Sequence, residues 1–166
     1  MNTAMNRADS FYELEKAKQF ILEGNEFLVV SHVQPDGDAA SSTLAIGLVL
    51  KALNKSYTLT NSDTIPRKLD YLSGYERITR ASDLAASGKK FDRVIAVDCA
   101  DYSRIGTADA LFTESVQILN IDHHPTNDGY GSVRLIRPEA AATAQILFEL
   151  VDALGVSWTK ELADCI

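Results

Sequence analysis

Cysteine, histidine and basic residues are all scarce in this chain, and each scarcity excludes something. Two cysteines in 166 residues, Cys99 and Cys165, make no disulfide framework and lack the paired spacing of a thiolate zinc site. Such usage fits a reducing, cytoplasmic location. Lys and Arg number 16 against 23 Asp and Glu, giving a net charge of −7. A non-specific binder of long duplex nucleic acid needs a basic surface, so that class is disfavoured. A small phosphate-bearing substrate is not, because part of the excess is the set Asp36, Asp38, Asp98 and Asp122, whose local field divalent cations would invert. No apolar run approaches membrane-spanning length, and the N-terminus lacks the apolar core of a secretory signal. Also missing are the P-loop pattern G-x-x-x-x-G-K-[ST], a G-x-G-x-x-G after a strand, and the nucleophile elbow G-x-S-x-G.

What is present is an alternation of apolar runs and helical patterns. With 46% hydrophobic and 23% charged residues, the composition is that of an ordinary globular chain long enough for one real core. Residues 1–9 are expected to be frayed, and the domain to occupy residues 10–166. Phe11, Leu14, Ala17 and Ile21 recur at helical spacing over 10–23, with Gly24 as a stop. Strands are predicted at 27–31, 56–60, 93–98 and 116–121, with a weaker one at 132–136. Helices are predicted at 39–53, 139–154 and from Lys160 onward, and short ones near Arg67–Leu72 and Ser82–Ser87. Short apolar β-branched runs between helices indicate an α/β fold, a parallel sheet flanked by helices on both faces. No internal repeat or low-complexity tract interrupts it.

Three of the apolar runs end in residues that bind metals. Phe27–Ser31 leads into His32, Asp36 and Asp38; Val94–Val97 into Asp98; Val116–Ile121 into Asp122, His123 and His124. Ligands of open parallel sheets bind at the carboxyl ends of the strands, so these groups are expected to converge. All three histidines of the chain fall at that edge, which chance explains poorly. In the loop His32-x-x-x-Asp36-x-Asp38, Pro35 restricts the backbone and Gly37 permits a tight turn between carboxylates that would repel each other without a cation. A structural alternative stays open: Asp38 as N-cap of the helix starting at Ala39, and Asp36 as a turn residue. Mixed oxygen and imidazole donors suit Mn²⁺ or a similar ion. Two such ions around a bridging carboxylate would acidify a shared water and neutralise phosphate oxygens, which implies hydrolysis of a phosphate ester.

At these residues the chain resembles the DHH family of phosphoesterases, named for the triplet at Asp122-His123-His124. Three motifs match in order: His32-x-x-x-Asp36-x-Asp38, Asp98-Cys99-Ala100-Asp101 and the triplet itself. The stretches Pro35–Ala39 and Val97–Gly106 are similar to the bacterial oligoribonuclease/pAp phosphatase branch, and less so to the manganese pyrophosphatases, which usually carry threonine at the position of Gly37. The resemblance implies that His32, Asp36 and Asp98 bind a first Mn²⁺ and that Asp38, Asp98 and His123 bind a second, with Asp98 bridging. It implies that Asp122 orients a histidine from behind, and that His124 contacts the scissile phosphate or assists proton transfer. Ser41, Ser42 and Arg104 are weaker phosphate-binding candidates; Ser41 stands where the family usually has glycine, and Arg104 is expected to pair with Asp101. Asn127 reads as a turn residue. The family continues into a fourth motif, G-I-x-x-D-T, and a substrate-gripping second domain. The chain is therefore expected to correspond to the N-terminal catalytic part, ending before that motif, with the C-terminal substrate-binding domain absent and the second metal site incomplete. The implied activity is hydrolysis of short RNA oligonucleotides or of pAp. Alternatives are cyclic dinucleotides, single-stranded DNA or pyrophosphate as substrate, or a non-catalytic metal-binding piece.

Overall fold

The computed structural model describes residues 7–166. Its centre is a parallel sheet of six strands: β1 (Phe27–Val30), β2 (Tyr57–Asn61), β3 (Ile78–Arg80), β4 (Phe91–Val97), β5 (Phe112–Asp122) and β6 (Val133–Ile136). Every pairing is parallel, in the order β3-β2-β1-β4-β5-β6. The chain moves outward in one direction from β1 and in the other from β4. The order therefore reverses between those two strands, and a crevice opens at their carboxyl ends.

Right-handed crossovers that leave in opposite directions deposit their connections on opposite faces, and the core divides accordingly. Side chains alternate along a strand, so Val29, Ile95, Leu119 and Ile121 face one layer and Leu28, Val30, Val94 and Ala96 the other. The first layer is made by α1 (Arg7–Glu23), α2 (Gly37–Ala52), α4 (Thr143–Ala153) and α5 (Lys160–Asp164). The second is made by α3 (Ala81–Ala85) and the 3₁₀ stretch Tyr102–Leu111. Helices thus cover both faces, as the alternation of patterns implies. Among the described residues no helix is long and apolar enough to cross a membrane.

Several boundaries differ from the sequence expectations, each for a physical reason. Helix α1 begins at Arg7, so residues 7–9 form its first turn; residues 1–6, the rest of the stretch expected to be frayed, lie outside the described residues. Phe11, assigned by spacing to the apolar stripe, is 65% exposed, and the helix buries Ala17, Phe20 and Ile21 instead. Near Arg67–Leu72 only the 3₁₀ turn Arg67–Leu69 forms. Strand β3 was not predicted, because three residues of which only Ile78 is apolar carry no periodic signal. The 3₁₀ stretch Tyr102–Leu111 was not predicted either; it is kinked at Gly106. Strand β5 extends back to Phe112 through the polar residues Thr113–Ser115. Helix α4 starts at Thr143 rather than 139, after Ala142 in extended conformation.

Helix α1 is anchored to the carboxyl edge by a buried cation. The Arg137 side chain, 4% exposed, donates to Glu13 Oε2 at 2.7 Å, to the Ser10 carbonyl at 2.7 Å and to the Ile136 carbonyl at 3.0 Å. Its backbone N–H donates to the Asp122 carbonyl at 3.0 Å. Hydrogen bonds to charged groups contribute about 1.5–3 kcal/mol each. The substitution Glu13→Ala, which removes the carboxylate partner of this buried guanidinium, is therefore expected to lower the unfolding free energy by about that amount, measured by urea denaturation, and Arg137→Met by more, because it strips the donor from Glu13 and from the Ser10 and Ile136 carbonyls at once.

Candidate metal centre

The crevice at the β1/β4 reversal is built from five segments. Beyond β1, Asn61 at the end of β2 donates to Ser31 Oγ and to the His32 carbonyl, both at 2.9 Å, and so fixes the backbone that carries His32. The Val33 N–H donates to the Arg104 carbonyl at 2.8 Å, tying the same loop to the 3₁₀ stretch after β4. Asp36 closes the loop as N-cap of α2, its carboxylate accepting from the Ala39 N–H at 3.1 Å. The capping role read as an alternative for Asp38 thus falls to Asp36, and α2 starts at Gly37 rather than Ala39.

Asp38 caps a different helix. Its Oδ2 accepts from the Thr143 N–H at 2.8 Å and its Oδ1 from the Ala144 N–H at 3.0 Å. Helix α4 lacks a side-chain cap of its own at Ala142, so its orphan amides are satisfied from across the site. Ser42 donates to Asp38 Oδ1 at 3.2 Å. Being completely buried, Ser42 cannot meet a phosphate, which corrects that expectation. The Ser41 hydroxyl turns back to the Asp38 carbonyl at 3.4 Å.

Asp98 lies at the middle of the arrangement, 2% exposed, with φ +52° immediately after β4. Aspartate tolerates this left-handed turn better than most side chains. Its Oδ2 is 3.5 Å from His32 Nε2, which is also 3.9 Å from Asp36 Oδ1. Its Oδ1 is 3.7 Å from His123 Nε2 and from His124 Nδ1, and accepts from the Thr143 hydroxyl at 3.1 Å. His123 Nε2 is also 3.7 Å from Asp38 Oδ2. The structure therefore brings together His32, Asp36, Asp38, Asp98, His123 and His124. Two groups have ligand atoms mutually within 4.8 Å: His32, Asp36 and Asp98, and Asp98, His123 and His124.

These separations exceed a hydrogen bond and approach the spacing of donors that share an ion at about 2.1 Å. The imidazoles are held as ligating ones usually are, with the second nitrogen on a carbonyl. His32 Nδ1 is 2.7 Å from the Val33 carbonyl and His123 Nδ1 is 3.2 Å from that of Ala140, so each turns Nε2 inward. His124 differs. Its Nδ1 is 2.7 Å from Asp122 Oδ1, which leaves Nε2 for the open side of the crevice. Asp122 is fully buried, and its Oδ2 accepts from Asn127 Nδ2 at 2.7 Å. The donor set thus fits a divalent cation, with Asp98 able to serve two.

The charges are mutually dependent. The Asp98 carboxylate raises the His32 pKa, outweighing burial. Burial alone would raise that of Asp98, but the adjacent His32 imidazole, the Thr143 hydroxyl and His124 together hold it below the usual range. Burial and then the charge of Asp98 raise Asp38, against the pull of the two α4 amides. Burial pushes the neighbouring Cys99 thiol up to about 11, so it is no thiolate ligand at neutral pH. Its Sγ lies 3.3 Å from the Asp101 carbonyl.

Arg104 departs from its expected pairing. Asp101 uses its carboxylate to cap the Ser103 N–H at 2.7 Å, while the exposed Arg104 guanidinium lies 3.4 Å from the Val33 carbonyl beside the His32 ring. Three further residues shape the site without having been singled out for it. They are Asn61, Asn127, whose turn geometry alone was legible, and Thr143. Thr143 lies in an alanine-rich stretch with no signal beyond helix propensity.

A cluster of carboxylates and imidazoles at the switch point of an all-parallel sheet defines an α/β domain with a candidate metal site, and the comparisons specify which. The model of the DHH family, N-terminal domain, matches residues 26–166. The chain belongs to the DHH family. Among curated proteins it is 37% identical over 137 residues to the bifunctional oligoribonuclease and PAP phosphatase NrnA of Thermus thermophilus, matching 81% of this chain and 39% of that protein. The protein of the same name from Bacillus subtilis is 25% identical over 119 residues, matching 72% of this chain and 36% of the relative. The match therefore spans well under half the length of these relatives. Among solved structures, an exopolyphosphatase-related protein from Bacteroides fragilis superposes with a TM-score of 0.84 at 22% identity, over 99% of this chain and 49% of that one, and shares the fold.

Two predictions follow from the geometry of the loops and of the charges. Gly106 has φ +64° and ψ −143°, and a Cβ there would sit 2.6 Å from Val33 Cγ1 and 2.7 Å from Ser62 Oγ. That backbone region is nearly restricted to glycine, so Gly106→Ala is expected to cost about 1–3 kcal/mol or more in a denaturation experiment and to displace the His32 loop. The second concerns His32. Its folded pKa lies above the ordinary 6.5, so in metal-free protein its stabilisation is complete below that value and is lost as pH rises through the folded one. Thermal midpoints of metal-free wild type and His32→Gln should differ most below pH 6.5 and converge above the folded pKa. Divalent-metal affinity should rise over the same interval, as the proton leaves Nε2.

Proposed function

We propose that this chain is the catalytic part of a metal-dependent phosphoesterase that hydrolyses short RNA oligonucleotides, pAp, or both. The observation that carries the reading is Asp98, whose two oxygens face separate groups of imidazole and carboxylate donors. His32, Asp36 and Asp98 would hold one Mn²⁺, and Asp38, Asp98 and His123 a second. Bound there, the ions would supply a water acidic enough to attack at neutral pH and positive charge for phosphate oxygens. The substrate class follows the names of the relatives, oligoribonuclease and PAP phosphatase, and a cytoplasmic setting agrees with both.

The protein's own groups complete the chemistry. Asp122, steadied by Asn127, fixes the His124 ring through Nδ1. Nε2 of His124 then faces the scissile phosphate, where it holds a hydrogen bond to a phosphate oxygen or passes a proton to the leaving group. One nitrogen of the exposed Arg104 guanidinium lies 3.2 Å from His32 Nδ1 and 3.4 Å from the Val33 carbonyl, and its other nitrogens would take a second phosphate oxygen. The Asp98 carboxylate, held ionised by His32 and Thr143, keeps the two sides of the site at fixed separation.

Hydrolysis of pAp and of a short RNA should require Mn²⁺, stop on chelation with EDTA and return on adding the metal back. Asp98→Ala should lower kcat by at least about 10³-fold, the loss of several kcal/mol of metal-derived stabilisation. Full activity in that variant would refute the reading, and activity on cyclic dinucleotides, single-stranded DNA or pyrophosphate alone would redirect the substrate. Metal binding without turnover of any of these would leave only a metal-binding role.

A further inference from the structure

Building on that functional reading, we infer that Thr143, the first residue of α4, is a positioning residue that sets the geometry of two metal ligands at once. The residue is fully buried. Its hydroxyl donates to Asp98 Oδ1 at 3.1 Å and its backbone N–H to Asp38 Oδ2 at 2.8 Å. Those two oxygens are the ones that face His123 Nε2, each at 3.7 Å. One residue therefore orients both carboxylates that share a side of the site with His123. The Ala140 carbonyl, three residues earlier, holds the ring of His123 itself at 3.2 Å. The segment 140–143 thus fixes all three donors of the second group from behind.

The hydroxyl matters more than its size suggests. It is one of the few donors that reach a buried carboxylate whose own burial works against ionisation. Its single proton goes to Asp98 Oδ1, and the carboxylate keeps its other lone pairs for an ion. Valine has the same shape without the donor, and serine keeps the donor without the methyl group. The two substitutions therefore separate ligand orientation from packing.

Mn²⁺ binding to metal-free protein, followed by the loss of the free-ion EPR signal, tests this without recourse to turnover. Groups that orient a ligand typically contribute 10–100-fold to metal affinity. Thr143→Val is expected to weaken Mn²⁺ binding at least tenfold, whereas Thr143→Ser stays within about threefold of wild type. Thermal midpoints of the metal-free proteins show whether each variant folds. Should Thr143→Val not fold, Thr143→Ala is compared with Thr143→Ser: a tenfold loss in the alanine variant alone supports the assignment, and equal binding by the two overturns it. Unchanged binding in a folded Thr143→Val variant also overturns it. Absence of divalent-metal binding by wild type would instead overturn the functional reading on which the assignment rests.

Discussion

The carboxyl edge of the sheet is organised around the burial of one negative charge. Asp98 is almost entirely withdrawn from water, a placement that is costly unless the charge is compensated. Every neighbouring element contributes to that compensation. The loop after β1 brings His32, the end of β5 brings His123 and His124, and α4 brings a hydroxyl. The reversal of strand order between β1 and β4 is what makes these loops neighbours. A sheet with the same strands in simple succession would not bring the His32 loop beside the turn after β4.

The constraint propagates outward through backbone contacts rather than through further charges. Asn61 and Ser62 at the end of β2 secure the His32 loop and the 3₁₀ stretch, Ser62 accepting from the Ala108 N–H and donating to the Ile105 carbonyl. Arg137 links the end of β6 to α1 on one side and to the Asp122 carbonyl on the other. The parts of the molecule most distant in sequence are thereby referred to one edge, and the donors reach their places without side chains having to stretch.

The fold was largely legible because its evidence is local. Four of the six strands are apolar runs that alternate with helical patterns, and an alternation of that kind admits few topologies. The residues of the candidate metal site were legible because three strands end in them, a pattern that needs no knowledge of three-dimensional contacts. What escaped were residues whose role is to hold another residue. Thr143, Asn61 and Asn127 are ordinary polar residues in sequence, and their meaning arises only when the sheet places them beside Asp38, His32 and Asp122. The start of α4 escaped for the same reason. Local propensity favours continuing the helix back through the alanines, but the amides at Thr143 and Ala144 are claimed by a carboxylate more than a hundred positions earlier. Tertiary context overrides propensity there.

Cys99 follows directly on Asp98, yet its sulfur is turned into the apolar layer formed by Leu28, Ala96 and Ile105. Oxidants attack the thiolate, and a buried thiol that ionises only at about pH 11 offers almost none. The residue beside the central carboxylate thus stays a neutral thiol at the pH where its neighbours are ionised, so a reactive sulfur is kept away from the donor groups although it is adjacent to them in sequence.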